Sequence, residues 1–395
     1  MANTPIENLR ITFYGTQGSG STFPSTPERH AVQKRDHYEF LRAIVEDLKR
    51  HRQPDGRVSC TIEELLGGAE SIAVLTAYCS RFDVPEPRVY GGWTTCVRVE
   101  TSDGFDIVLD CGSGFRNCAA DLQAKWGPRP SRDLHIFGSH SHLDHTEGFD
   151  QAAICFDPRN HLHIYGNRQF LRALDTNLGI FTRFVADDLL GVQTPIFYGI
   201  MPAQFQAIEI RAENEAEPAS PDALSHRVHP LGKPVVLGKT SIRAFEVFHP
   251  APCLAYRFDH GGKSFVFCTD HELRHGPDDE HPRQQQSLAA EARLREFCAD
   301  VDLLYRDGQY LRIEYDGIKG ISNSGAVPRL DWGHSCMEDV REMASECRVK
   351  RTLVGHHDPN REWAERNWID ETLERASGSA SAKIELAKAE TVVSL

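Results

Sequence analysis

Short apolar runs bounded by polar or turn residues alternate along the chain with stretches of helical period. The runs predict strands at 105–111, 134–138, 161–165, 241–248, 254–258, 264–269, 301–305 and 351–354, with a further candidate in Lys383–Leu395. Helices are predicted at 36–51, 61–82, 286–299, 336–347 and 361–375. Within them Phe40, Leu41, Ile44, Val45 and Leu48 repeat on one face, as do Ile62, Leu65, Leu66, Ala69, Ile72 and Leu75. Strands alternating with helices place the chain in the α/β class. The segment Ala212–Pro234, rich in Pro, Ala, Glu and His, reads as a loop in which His226 and His229 face solvent.

Composition narrows the function classes. With 395 residues, 26% charged and 40% hydrophobic, the chain can bury a large core and is not of disordered composition. A net charge of -13 argues against extended nucleic acid as a partner, which needs a basic surface. The basic run Lys49-Arg50-His51-Arg52 reads as a solvated helix end, where cations complement the dipole. No apolar run approaches the roughly 18 residues of a membrane span, so no membrane partner is expected. The N-terminus Met1–Ile6 lacks the regions of a signal peptide, and eleven cysteines without a CxxC pair fit reduced thiols. A cytoplasmic protein is the expectation.

The densest chemistry lies in His140-Ser-His142-Leu-Asp144-His145, directly after the predicted strand 134–138. Residues two apart on an extended chain share a face, so His140 and His142 can grip one ion together. Asp144 and His145 fall where the chain turns and can reach a second. A histidine-rich surface loop is the alternative, but imidazole and carboxylate at this density rarely coincide without a metal. Imidazole with carboxylate suits Zn2+; Mn2+ and Fe are compatible with the same ligands.

The run resembles the HxHxDH signature of the metallo-β-lactamase superfamily, and further matches follow in that family's order. Phe245-Glu-Val-Phe-His249 resembles the segment bringing a third histidine to the first metal, and Lys263–Asp270 resembles the strand whose aspartate bridges both. Arg351-Thr-Leu-Val-Gly-His356 is similar to the segment with the last ligand. The resemblance implies an αββα sandwich and two divalent metal ions. His140, His142 and His249 would bind one; Asp144, His145 and His356 the other; Asp270 both. Asp110, ending Ile107-Val-Leu-Asp110, is expected to support the ligands, and Cys268 to pack in its strand. His357 and Asp358 are expected to support the loop of His356.

Asp331-Trp-Gly-His334-Ser335 resembles the histidine motif of the phosphodiesterase branch, tRNase Z and its relatives, which makes His334 the candidate general acid. Asp144 joins it in the catalytic set. The alternative is that His334 only neighbours Ser335 as a helix cap. The motifs from Gly15-Thr-Gln-Gly18-Ser to His356-His-Asp-Pro359 resemble bacterial and phage hydrolases of this fold, including phosphodiesterases of 3′,5′-cyclic nucleotides. The expected activity is hydrolysis of a small-molecule phosphodiester by metal-bound hydroxide. Hydrolysis of an ester, lactone or lactam, and a non-catalytic metal-containing binding protein, are the alternatives. A tRNA 3′-processing activity is disfavoured, because only Asp259-His-Gly-Gly262 stands where a long arm is expected.

The glycines of 15–20 could suggest a dinucleotide fingerprint, but Ser21-Thr-Phe-Pro24 begins no helix to cradle a phosphate. The domain reading is a single metallo-β-lactamase-fold domain over 1–395 with a helical insert at 26–89. The insert and the family's habit of pairing make a homodimer an expectation.

Overall fold

The computed structural model describes residues 6–82, 90–130, 132–181, 198–212, 226–377 and 382–395. The chain divides into two compact units, one of Met1–Phe23 with Tyr90–Leu395 and one of Pro24–Val89.

In the larger unit the first sheet contains β1 (Leu9–Gly15), β2 (Cys96–Thr101), β3 (Asp106–Leu109), β4 (Arg132–Phe137), β5 (Asn160–Gly166), β6 (Gln204–Arg211) and β7 (His226–Pro230), side by side. The second contains β8 (Val235–Leu237), β9 (Thr240–Val247), β10 (Cys253–His260), β11 (Lys263–Cys268), β12 (Leu303–Asp307), β13 (Arg351–Gly355) and β14 (Lys383–Leu386), in the order of the chain. A last strand, β15 (Val392–Ser394), returns to pair antiparallel with β1. Strands β3 to β7 are mutually parallel, as are β11 to β14.

Helices α1 (Thr26–Lys49), α2 (Ile62–Leu66) and α3 (Ile72–Cys79) lie in the smaller unit. The larger unit adds α4 (Phe115–Trp126), α5 (Arg168–Leu178), α6 (Pro282–Cys298), α7 (Arg312–Tyr315), α8 (Met337–Glu346) and α9 (Trp363–Ser377). Side-chain alternation assembles the layers. Leu134 and Ile136 of β4 face α4 and α5, in one cluster with Phe115, Leu122 and Leu171. Phe137 points the other way, into the space between the sheets, where it meets Tyr256, Phe258 and Phe267. Phe265 and Phe267 of β11 share that central core, while Val266 and Cys268 turn outward to Leu294 of α6 and Met343 of α8. The result is the αββα sandwich. Cys268 is a buried packing residue, and burial pushes its thiol up.

Several expectations need correction. The predicted helix 61–82 is two helices, because Gly67 adopts a left-handed φ of 81° that ends α2 and Ser71 caps α3. Helix α1 starts at Thr26 rather than 36, where Ser25 and Glu28 form a capping box. The expected loop 212–234 contains β7; its residues 213–225 lie outside the described residues. Within β7, His226 is half-buried and pairs with the buried Glu209 at 2.5 Å instead of facing solvent. Strands β2 and β6 and helices α4 and α5 were not in the predicted pattern. In β2 the reason is visible: Arg98 and Glu100 are buried, neutralised by Asp106 and Lys125, so a buried strand looks polar.

The central core sets a testable scale. Phe267 is fully buried and stacks on Tyr305 at 5.3 Å. Phe267→Ala is expected to lower the unfolding free energy by about 3–5 kcal/mol in urea titration. Val236→Ala, at a site 64% exposed, should change it by less than about 0.5 kcal/mol. Equal losses at the two sites would contradict this assignment of the core.

Candidate metal centre

The candidate ligands sit just beyond strand ends at one edge of the sandwich. His140 and His142 follow β4, His249 follows β9, Asp270 follows β11 and His356 follows β13. Since β9 and β11 are both antiparallel to β10, their ends face the same way. Ligands in α/β sheets gather where parallel strands end.

The structure brings all seven predicted ligands together in two adjoining groups. His140, His142, His249 and Asp270 offer donor atoms within 4.8 Å of one another, as do Asp144, His145 and His356. Asp270 faces both. Its Oδ2 lies 3.5 Å from His140 Nε2 and 3.8 Å from His249 Nε2. Its Oδ1 lies 3.2 Å from His145 Nε2 and 3.1 Å from His356 Nε2. Asp144 Oδ2 completes the second group at 3.3 Å from both His145 and His356.

A shell of hydrogen bonds fixes which ring nitrogen faces inward. His145 Nδ1 donates to Asp110 Oδ2 at 2.8 Å, and Ser139 donates to the same carboxylate through N and Oγ. His140 Nδ1 donates to Ser139 Oγ, His249 Nδ1 to the Gly333 carbonyl, and His356 Nδ1 to Gln309 Oε1. Each Nε2 is thereby turned to the centre. Asp110 thus supports a ligand, as its position after β3 suggested. Gln309 is itself held by Asp358, and His357 anchors its loop through Nε2 to the Ala387 carbonyl.

The donor set fits divalent cations. Nε2 of His140 and of His145 is buried and makes no hydrogen bond among the described residues. Buried polar atoms without partners are uncommon and ask for one. Burial holds His140 and His142 below the usual imidazole range and takes His249 down to about 3, so these rings are neutral, the form that binds metal. Burial would raise Asp144 and Asp270, but the surrounding histidines override it and keep both ionised. With Asp110 they form a concentration of negative charge beside His145, whose imidazolium is favoured by them against its burial.

Two glycines permit the close packing. A Cβ at Gly18 would lie 2.3 Å from the His356 ring, so the glycine turn after β1 serves the ligand loop rather than a phosphate. The next residue, Ser19, donates its backbone N–H to Asp144 Oδ2 at 2.7 Å. Gly333 has φ 93°, and a Cβ there would lie 2.2 Å from His249 Nδ1. Asp110 and His356 hold left-handed φ values of 57° and 56°, strain that is concentrated at this site.

His334 adjoins both groups. It stacks on His356 at 4.7 Å, and its Nδ1 is 3.9 Å from Asp270 Oδ2. That Nδ1 donates to Asp307 Oδ2 at 3.0 Å. Burial disfavours its imidazolium, yet Asp307 outweighs burial and raises the group to about 9. Ser335 does not cap the following helix: Cys336 is the N-cap, without a side-chain bond, and Ser335 Oγ donates to the His271 carbonyl. Asp307, Gln309 and Ser19 were missed from the sequence. For Asp307 a partial signal existed, since it follows the predicted strand 301–305 by two residues, as Asp270 follows the apolar run Phe265–Cys268.

A family model described as a beta-lactamase superfamily domain matches residues 106–357, which include every one of these ligands. The chain belongs to the metallo-β-lactamase superfamily. Members of this superfamily are mostly metal-dependent hydrolases that bind divalent ions. No curated protein matches the chain significantly. Among solved structures, zinc-bound PqqB from Methylobacterium extorquens is 13% identical, covers 98% of this chain and 100% of its own, and has a TM-score of 0.52. A diphosphatase of the PhnP family is 16% identical, with 98% of each chain covered and a TM-score of 0.49. Human tRNase Z, short form, is 15% identical, with 98% of each chain covered and a TM-score of 0.48. The PqqB likeness shows the shared metallo-β-lactamase fold.

The support of the ligands is open to test. Asp110→Asn should weaken metal affinity about 10- to 100-fold in competition with a chromophoric chelator. Unchanged affinity would remove Asp110 from the metal centre's support.

Proposed function

We propose that the protein is a phosphodiesterase that opens small 3′,5′-cyclic nucleotides to monophosphates with the help of two divalent ions, zinc being the best match to the donors. The observation that carries this reading is His334, buried against both ligand groups and tied to Asp307. When bound, such ions acidify water and stabilise charge on phosphoryl oxygen.

The residues divide the remaining work. Hydrolysis of a phosphodiester by water forms one P–O bond and breaks another, expelling an alkoxide that needs a proton. His334 holds one: Nδ1 is occupied by Asp307, and Nε2 is free to give its proton to the leaving oxygen. Cations on the neighbouring ligands would draw its pKa back toward neutrality, because like charges disfavour the imidazolium. Asp144, kept ionised and held by Ser19 N–H, is placed to take the proton that the water gives up.

A small substrate is supported by the hairpin of β10 and β11, which turns through Gly261 and Gly262 without any extended arm. The charge of -13 disfavours long nucleic acid. No helix among the described residues is long and apolar enough to cross a membrane.

The zinc- or manganese-loaded protein should convert a 3′,5′-cyclic nucleotide to its monophosphate. His334→Ala should lower turnover about 100-fold or more while leaving the metal content unchanged by mass spectrometry. Full activity of the variant, or turnover of a lactone alone in a mixed substrate panel, would overturn the reading.

A further inference from the structure

Seven arginines are buried among the described residues, and six of them have a polar side-chain or carbonyl partner. Arg98, Arg132, Arg274, Arg306 and Arg361 each face a carboxylate. Arg366 donates to Gln17 Oε1 and to two backbone carbonyls. Arg329 is different. It is 8% exposed, and among the described residues its guanidinium makes no hydrogen bond or ion pair. Its contacts are two rings, Trp332 at 4.2 Å and Tyr310 at 5.6 Å. A guanidinium keeps its charge and presents five donors in a rigid fork, and here no acceptor among the described residues fills it. Aromatic faces offset part of that cost and leave the fork unfilled.

The position of this cation gives it a use. Tyr310 stands edge-on to His334, with ring centres 5.9 Å apart, and Trp332 is two residues ahead of His334 and 49% exposed. Arg329 therefore lies one ring beyond the residue that protonates the leaving group. The Tyr310 ring touches both Arg329 and His334, which gives Arg329 a place beside the ligand groups. The hydroxyl of Tyr310 also makes no hydrogen bond among the described residues, adding a second open donor. Bidentate acceptors suit such a fork, and the two non-bridging oxygens of a nucleotide's phosphate are one.

We infer that Arg329, Tyr310 and Trp332 form an anion subsite that receives a second phosphate of the substrate, beside the diester that is cut. The inference rests on the phosphodiesterase reading and extends it from cyclic mononucleotides to small nucleotides carrying two phosphates, such as cyclic dinucleotides, whose opening at one diester leaves a linear dinucleotide. One phosphate is cleaved at the metal centre; the other is held by Arg329, with Trp332 as a flat wall.

The test compares cyclic di-AMP, with two phosphates, against bis(p-nitrophenyl) phosphate, with one. Arg329→Met keeps the apolar stem and removes the charge, while Arg329→Lys keeps charge without the fork. Arg329→Met should raise KM for cyclic di-AMP about tenfold or more, with kcat and turnover of the aryl diester within about twofold, and Arg329→Lys should fall between. Equal loss on both substrates would assign Arg329 a structural role and overturn the subsite, as would no change on either. A binding measurement separates this from the parent reading. In calorimetric titration of the metal-loaded His334→Ala protein with cyclic di-AMP, adding Arg329→Met should weaken binding about tenfold. Unaltered affinity would overturn the subsite. Arg329-dependent binding by a protein that cuts no diester would retain the subsite and reject the phosphodiesterase reading.

Discussion

Everything at this site depends on one carboxylate being shared. Asp270 turns one oxygen toward His140 and His249 and the other toward His145 and His356, so a single side chain joins two ligand groups from both sheets. No short loop can arrange this, because the histidines come from the ends of β4, β9 and β13. The aromatic core between the sheets fixes the distance between those ends. Phe137 at the end of β4 meets Tyr256 and Phe258 of the opposite sheet, and Phe267 at the end of β11 meets Tyr305. Packing in that layer is therefore part of the metal chemistry: a shift of one sheet would pull the halves of the site apart.

Gathering so many imidazoles and carboxylates creates an electrostatic problem that the surrounding bonds solve. Left to burial alone, Asp144 and Asp270 would tend to be neutral. The surrounding histidines, His145 and His356 foremost, favour the ionised forms of both. The histidines are oriented from behind by acceptors of different kinds: a carboxylate, a hydroxyl, an amide and a backbone carbonyl. Such a centre is preorganised for cations, since its donors need little rearrangement to meet them.

Much of the metal site was legible because its ligands follow a local rule. Each is an imidazole or carboxylate directly after an apolar run, and HxHxDH packs four into six residues. The fold class followed from the same runs, and the layer arrangement from the resemblance those motifs carried. What escaped was set by contacts distant in sequence. Asp307 obeys the same rule as Asp270, yet nothing local says that one faces the ligand groups and the other His334. Gln309 matters only because Asp358, 49 residues on, turns its amide toward His356. Strand β2 was hidden by Arg98 and Glu100, whose polarity marks an exposed segment until Asp106 and Lys125 are seen to neutralise them. Strand β7 was obscured by a composition that reads as loop, although His226 has a buried partner in Glu209.

The His334 loop and the ligand groups are mechanically joined two residues beyond Asp270. Glu272 is fully buried and accepts the backbone N–H groups of Asp331 and Gly333, at 2.9 and 2.8 Å, together with the Tyr315 hydroxyl. Its own N–H donates to the Phe248 carbonyl, one residue ahead of His249. Three loops, those of Asp270, His249 and His334, therefore meet on this one residue, through its carboxylate and its backbone N–H. Because Gly333 in turn accepts His249 Nδ1, any displacement of the His334 loop would also disturb a metal ligand. His334 and the two ligand groups are thus held as one unit, their spacing set by the bonds that Glu272 and Gly333 make.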